Sequence, residues 1–91
     1  MSEDRIMDET RREQLAESVM AFIRQRFPAT GDDLTVHTPL LNDGGVDSLG
    51  VLEIAQFLTD NHGVEVTDED FVAENFETVD ALVALLLRRI A

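Results

Sequence analysis

The segment "VDSLGVLEIAQFL", residues 46–58, places an acid and a hydroxyl directly before an apolar run with helical spacing. Asp47 occupies the position of a helix N-cap, because its carboxylate can accept hydrogen bonds from the free backbone N–H groups of the first turn. Asn61 and Gly63 supply the signals of a C-terminal end. The segment therefore predicts a helix over about 48–61.

The predicted helix has a core face and an outer face. At about 100° per residue, two sets of apolar side chains fall on opposite sides of the helix. The core face contains Val51, Ile54 and Leu58, flanked by Ala55 and Phe57. The outer face contains Ser48, Leu49, Leu52, Glu53 and Gln56. The apolar residues of this outer face either form a binding patch for a partner protein or are covered by the preceding loop. The second alternative applies to Leu49.

A first helix and a polar tail precede this segment. Thr10 and Glu13 have the spacing of a capping box, and apolar residues then recur at helical spacing. A proline stops the pattern, because the residue before a proline avoids helical backbone angles. The pattern predicts a helix over about 11–27, after a disordered tail over residues 1–9. Residues 10–91 are expected to form a single domain.

Two further helices follow a long connection. Thr67 predicts the N-cap of a short helix over about 68–73, and Thr78 predicts the N-cap of a last helix over about 79–90. The connection over residues 28–46 is longer than most loops of compact domains, so we expect its own leucines to pack it down. Together the patterns predict an all-α fold, a small four-helix bundle of three main helices and one short helix with a long first loop.

The composition narrows the classes of function. The 91 residues include 19 acids and seven bases, all of them arginine, which gives a formal net charge of −12. This charge disfavours binding to nucleic acid and to anionic membranes, and it attracts basic partners. The chain has no cysteine, and its N-terminus lacks the apolar core of a signal peptide. We therefore expect a cytoplasmic monomer with no metal site.

The spacing of the residues around Ser48 excludes two kinds of site, a serine hydrolase centre and a calcium-binding loop. A hydrolase needs a base, but His62 lies about 14 residues and about 20 Å along the helix, and no nucleophile elbow is present. His37 lies in the long loop, with no evident oxyanion arrangement. A calcium loop beginning at Asn42 would need oxygen ligands where the sequence has glycine and valine. The sequence thus predicts no catalytic activity for this chain.

The remaining role for Ser48 is that of a modified residue. The free N–H groups at a helix N-terminus stabilise a phosphate ester. The run "GVDSL", residues 45–49, resembles the phosphopantetheine attachment motif of acyl carrier proteins, in which Asp-Ser-Leu begins the second helix. The resemblance extends to the Thr-Pro-Leu of residues 38–40, to the acidic stretch "VEVTDEDF" and to the final stretch "FETVDALVALL".

The resemblance implies a carrier rather than an enzyme. A phosphopantetheinyl transferase would attach 4′-phosphopantetheine from coenzyme A to Ser48, with Asp47 as motif residue and helix cap. The arm would hold acyl groups as thioesters and present them to acyltransferases, ketosynthases or acyl-activating enzymes with basic docking patches. The residues implied in partner binding are Leu49, Leu52, Glu53, Gln56, Asp68 and Glu69.

Two departures from the family pattern bear on the cargo. Gly50 stands where many fatty-acid carriers have an acid, which weakens the helix locally and removes one acid from the docking face. The pair Gly44-Gly45 lies near, but not at, the position of paired glycines in peptidyl carriers. Asp47 before Ser48 favours the acyl type, and Gly50 together with the all-arginine bases favours polyketide-type or other specialised biosynthesis. A peptidyl or aminoacyl carrier is the alternative. An unmodified acidic interaction module, in which Ser48 only helps to cap a helix, is the alternative from a different class.

Overall fold

The computed structural model describes residues 2–31, 33–41 and 44–90, with side chains from Glu9 onward. The α-helices of these ranges are α1 (Ser2–Arg26), α2 (Ser48–His62), α3 (Ala73–Phe76) and α4 (Val79–Ile90), with 3-10 turns at Pro28–Thr30 and Asp68–Asp70. The same ranges hold no β-strand, only an isolated bridge between Leu41 and Val46. The predicted small all-α bundle is confirmed. Met1, Asp32, Asn42, Asp43 and Ala91 lie outside the described residues.

The first helix is longer than predicted. It begins at Ser2, so the predicted start near residue 11 is wrong. Residues 2–10 contain neither proline nor glycine, and nothing in them interrupts the helical hydrogen bonds. Thr10 and Glu13 consequently lie inside α1 instead of forming a capping box at its start. The division of the chain into a terminal tail and one domain stays a prediction.

One hydrophobic core joins α1, α2, α4 and the long loop. Its fully buried members include Val19, Ile23, Leu40, Ile54, Leu58, Leu82, Val83 and Leu86. The predicted core face of α2 is confirmed, because Ile54 and Leu58 are both 0% exposed. The flanking Phe57 is half-buried, and its ring stacks on that of Phe22 at 4.3 Å between centroids. Burial of large side chains on this scale is the main stabilising term in a small domain.

The long loop is held down as the sequence predicted. Leu34 and Leu40 are buried in the core. The backbone N–H of Leu40 donates to the carbonyl of Glu77 at 2.8 Å, and the N–H of Asp80 donates to the carbonyl of Val36 at 3.0 Å. The loop is therefore fixed to the junction between α3 and α4 before it reaches the start of α2.

The predicted third helix is replaced by two shorter elements. The sequence placed one helix over residues 68–73, but the chain forms a 3-10 turn at Asp68–Asp70 and then α3 at Ala73–Phe76. Phe71 and Val72 between them have non-helical backbone angles, which interrupts the helix. The prediction of one continuous helix is wrong. Asp70 pairs with Arg89 of α4 and Phe71 stacks on Phe76, and local helix propensity takes no account of such contacts.

The last helix has the predicted bounds. It runs Val79–Ile90, and the Thr78 hydroxyl accepts a hydrogen bond from the N–H of Ala81 at 3.0 Å, as expected of an N-cap. Arg88 and Arg89 lie in its last turn, where the helix dipole favours a positive charge. Across the described ranges, no helix is both long and apolar enough to cross a membrane.

Candidate functional site

Ser48 is the first residue of α2 and is exposed to solvent. Asp47 precedes it as the N-cap, and its carboxylate accepts a hydrogen bond from the N–H of Gly50 at 2.8 Å. The predicted cap is confirmed. Since Asp47 satisfies the helix end, the Ser48 hydroxyl is not needed for capping and is presented to solvent at the positive end of the helix dipole.

A close backbone approach fixes the chain just before Ser48. A Cβ atom on Gly44 would lie 2.2 Å from the carbonyl oxygen of Pro39, so only glycine fits there without moving the backbone. Val46 is 1% exposed, and its N–H donates to the carbonyl of Leu40 at 3.0 Å. These contacts anchor the residue two positions before Ser48, so the serine has a defined location relative to the core.

Gly50 faces the protein interior. A Cβ atom there would lie 2.9 Å from Cε1 of Phe27 and 3.0 Å from Cγ1 of Val46. The sequence treated this position as an acid missing from the docking face. The structure corrects that interpretation, because a side chain at position 50 would meet Phe27 instead of extending freely into solvent. The close approach of α2 to Phe27 accounts for a residue that weakens an isolated helix.

The outer face of α2 is open to solvent. Leu49 is 71% exposed and Leu52 is 55% exposed, so the long loop does not cover Leu49. Two further large apolar side chains of the described chain, Phe71 and Val72, are also exposed nearby. Exposed apolar side chains that cluster beside one hydroxyl indicate a binding surface more strongly than scattered ones do.

An apolar groove adjoins Ser48 between α2 and the segment leading into α3. Its volume is about 720 Å³, and its lining includes Ser48, Val51, Leu52, Phe71, Val72 and Phe76. The sequence pattern does not predict the contribution of Phe71 and Val72, because it places the segment over 68–73 within a helix. The positions of Phe71 and Val72 depend on the break between the 3-10 turn and α3, which no local sequence pattern predicts.

The predicted polar residues of the outer face differ in their surroundings. Glu53 forms an ion pair with Arg26 from the end of α1. Gln56 is exposed, and its side-chain amide donates to Asp60 at 2.8 Å. Asp68 and Glu69 are exposed in the 3-10 turn and do not line the groove beside Ser48. The part that these residues play in partner binding stays a prediction.

Asp70 is a buried acid for which the sequence pattern predicts no separate role. It is 6% exposed, and its carboxylate accepts from the Thr67 N–H at 2.9 Å and from the Thr67 hydroxyl at 3.1 Å. The same carboxylate forms an ion pair with Arg89 of α4. The hydrogen bond from the Thr67 backbone, and next the Arg89 guanidinium, lower the pKa of Asp70 below its ordinary 3.8. Asp70 thereby ties the segment beside the groove to α4.

The environment of Asp70 predicts a loss of stability in acid. A carboxyl whose pKa is lowered by folding stabilises the native state above its unfolded pKa, and this stabilisation disappears as the pH falls through the folded pKa. We expect Asp70→Asn to lower the free energy of unfolding by about 1–2 kcal/mol at neutral pH, an amount limited by the partial exposure of Arg89. The difference from wild type should shrink as the pH falls below about 4.

Urea unfolding at a series of pH values measures this effect. Asp68→Asn, an exposed acid on the same turn, serves as the matched control and should unfold much like wild type at neutral pH. A constant difference between Asp70→Asn and wild type at all pH values would contradict the role assigned to the Asp70 carboxylate.

The two histidines lie apart from Ser48. His62 closes the far end of α2, where its Nε2 lies 3.0 Å from the hydroxyl of Ser18. His37 is exposed in the long loop, as its sequence position suggested. In residues 2–31, 33–41 and 44–90, no three histidine or acidic side chains are grouped so as to hold a metal ion. The site presents an exposed hydroxyl beside apolar side chains.

Comparison with known proteins identifies the family that the chain resembles. Residues 17–86, more than half of the chain, match a family model described as "Phosphopantetheine attachment site". Acyl carrier proteins of Clostridium perfringens strains SM101, ATCC 13124 and 13 are each 33% identical over 61 residues. The aligned part covers 67% of this chain and 78% of each relative.

Proposed function

Because the chain belongs to the acyl carrier protein family, whose prosthetic group is covalent 4′-phosphopantetheine, we propose that it carries acyl groups on an arm attached to Ser48. The observation that supports Ser48 most directly is its exposure at the start of α2, next to a cap that Asp47 already provides. The residues present fit the group, since an esterified hydroxyl there would face solvent and not the core.

The attachment reaction uses the hydroxyl of Ser48 as nucleophile. Its oxygen bonds to the phosphorus on the pantetheine side of coenzyme A, and the pyrophosphate bond breaks. Adenosine 3′,5′-bisphosphate leaves, and the hydroxyl proton passes to a base of the transferase. The first N–H groups of α2 and the positive end of its dipole favour the phosphodiester anion that remains.

The chain itself acts as a carrier without catalysis in this proposal. When bound, the prosthetic group supplies the thiol that holds the acyl cargo as a thioester, which the chain cannot supply because it has no cysteine. The side chains of the groove offer an apolar surface next to the attachment point. Their chemistry favours an acyl cargo over a charged aminoacyl one.

The proposed pathway is polyketide-type or other specialised biosynthesis. The support is that all bases of the chain are arginine, together with Gly50, which differs from the acid of many fatty-acid carriers through its packing against Phe27 and not through a missing docking charge. A peptidyl or aminoacyl carrier of nonribosomal synthesis is the alternative. Offering the holo protein malonyl and aminoacyl donors with their cognate loading enzymes, and weighing the product, distinguishes the two classes of cargo.

The proposed partners dock on the outer face of α2 and the adjacent turn. They are a phosphopantetheinyl transferase and an acyltransferase, ketosynthase or acyl-activating enzyme with basic patches. The proposed contact residues are Leu49, Leu52, Glu53, Gln56, Asp68 and Glu69. The proposal keeps the cytoplasmic location and the monomeric state predicted from the sequence.

Intact mass tests the proposed function. The apo protein is incubated with coenzyme A, magnesium and a broad-specificity transferase, and we expect its mass to increase by one phosphopantetheine group. The absence of any increase with several transferases would contradict the carrier function and favour an unmodified acidic interaction module.

The acidic turn should contribute to docking. We expect Asp68→Lys combined with Glu69→Lys to slow modification about three- to tenfold at low salt and to flatten its salt dependence, because both acids are exposed in the turn that leads to the groove-lining Phe71. The control is Glu9→Lys with Glu13→Lys, two exposed acids on α1 with the same change in net charge. Equal losses in both double variants would show that total charge, and not this turn, controls the rate.

A further inference from the structure

Arg26 brings a positive charge to the outer face of α2. It is the last residue of α1, and its Nη2 atom contacts Oε1 of Glu53. The Arg26 side chain is 55% exposed and that of Glu53 is 37% exposed, so the pair lies at the surface. Arg26 and Glu53 line one groove with Leu49, Leu52 and Gln56. The guanidinium is thus part of the surface that carries the exposed leucines.

The other acids along this edge of α2 also have partners within the chain. The Asp47 carboxylate accepts from the N–H of Gly50, and Asp60 accepts from the side chain of Gln56. These two partners are neutral. Glu53 is different, because its partner is the positively charged guanidinium of Arg26. A cationic group of a docking enzyme would have to compete with Arg26 for this carboxylate.

We propose that Arg26 is a specificity-determining residue of the docking surface, which masks Glu53 from partners that recognise α2 through a basic patch. The inference rests on the proposed function, since it concerns the same surface beside Ser48. It favours partners whose main contact is an apolar site for Leu49 and Leu52, and it disfavours partners that require a free acid at the middle of α2. An exposed ion pair is weak, so the masking is a graded effect and not a block.

Removing the guanidinium should therefore accelerate reactions with a basic partner. With coenzyme A and a transferase whose docking site is basic, we expect Arg26→Gln to raise kcat/KM for modification about two- to fivefold at low salt. The gain should disappear at high salt, where the attraction between exposed charges is screened. Arg24→Gln is the matched control, because Arg24 is exposed on the same helix and the change in net charge is identical.

A double-mutant cycle separates masking from other effects. If Arg26 acts through Glu53, the gain from Arg26→Gln should be absent when Glu53 is already glutamine. A gain that persists in the Glu53→Gln background, or an equal gain from Arg24→Gln, would overturn the proposal in favour of an effect of net charge. A loss of rate on Arg26→Gln would also overturn it, since Arg26 would then assist docking.

The outcomes distinguish this inference from the proposed function. Failure of the wild-type chain to accept phosphopantetheine would overturn both. Normal modification of the wild type without coupling between Arg26 and Glu53 would overturn the masking role alone. Thermal melts of all four members of the cycle establish that each variant is folded, which we expect because both side chains are partly exposed.

Discussion

Ser48→Ala should abolish modification of the chain by phosphopantetheine. The wild-type protein is expected to gain one group in the presence of coenzyme A, magnesium and a transferase, and the variant none. The variant should still fold, with a cost at the low end of about 0.5–2 kcal/mol, because Asp47 provides the N-cap hydrogen bond. Intact mass and thermal melting of both proteins measure the two effects.

Ser18→Ala is the control for this experiment. Ser18 is half-buried on α1, and its hydroxyl lies next to His62 at the far end of α2. Its replacement should leave the mass gain intact. A mass gain that survives in Ser48→Ala would show that another hydroxyl accepts the group and would refute the assignment of Ser48.

Ile54→Ala should lower the free energy of unfolding by about 2–5 kcal/mol, and Leu58→Ala should do the same. Both side chains are fully buried, so truncation leaves a cavity in a small core. A loss of this size is a large part of the total stability of a single domain. Chemical unfolding monitored by circular dichroism measures the difference.

Leu52→Ala, on the opposite face of α2, should have little effect on stability but a clear effect on the reaction with partners. Because Leu52 is 55% exposed, its truncation is expected to cost under about 1 kcal/mol in folding. It should nevertheless slow modification or acyl transfer, since an apolar anchor near the reacting group often dominates a weak interface. If Leu52→Ala unfolded as readily as Ile54→Ala yet was modified at the normal rate, the assignment of the two faces would be wrong.

The sequence predicted those parts of the fold that depend on local chemistry. Asp47 and Thr78 are N-caps in the structure, and the hydrogen bonds that define them span only three residues. The core face of α2 follows from helical periodicity, which places Ile54 and Leu58 on one side of the backbone. Such features need no knowledge of the neighbouring elements.

The features that the sequence did not reveal depend on distant residues. The Arg26–Glu53 pair joins positions 27 residues apart, and the Arg89–Asp70 pair joins positions 19 residues apart. Neither has a local pattern that would indicate it. The start of α1 was predicted wrongly for a different reason. Thr10 and Glu13 have the spacing of a capping box, but the same residues are also compatible with the interior of a longer helix.

The contact between Gly50 and Phe27 constrains the order in which this surface can change. A side chain added at position 50 would place its Cβ atom 2.9 Å from Cε1 of Phe27, so the aromatic ring would have to shift. A smaller residue at position 27 would relieve this contact, but that change alone would leave a void in the core. We therefore expect the two positions to be epistatic, so that the cost of a side chain at position 50 depends on the residue at position 27. A protein engineer who wishes to give this chain the acidic helix start of a different carrier would have to change Phe27, directly after the end of α1, as well as position 50 of α2.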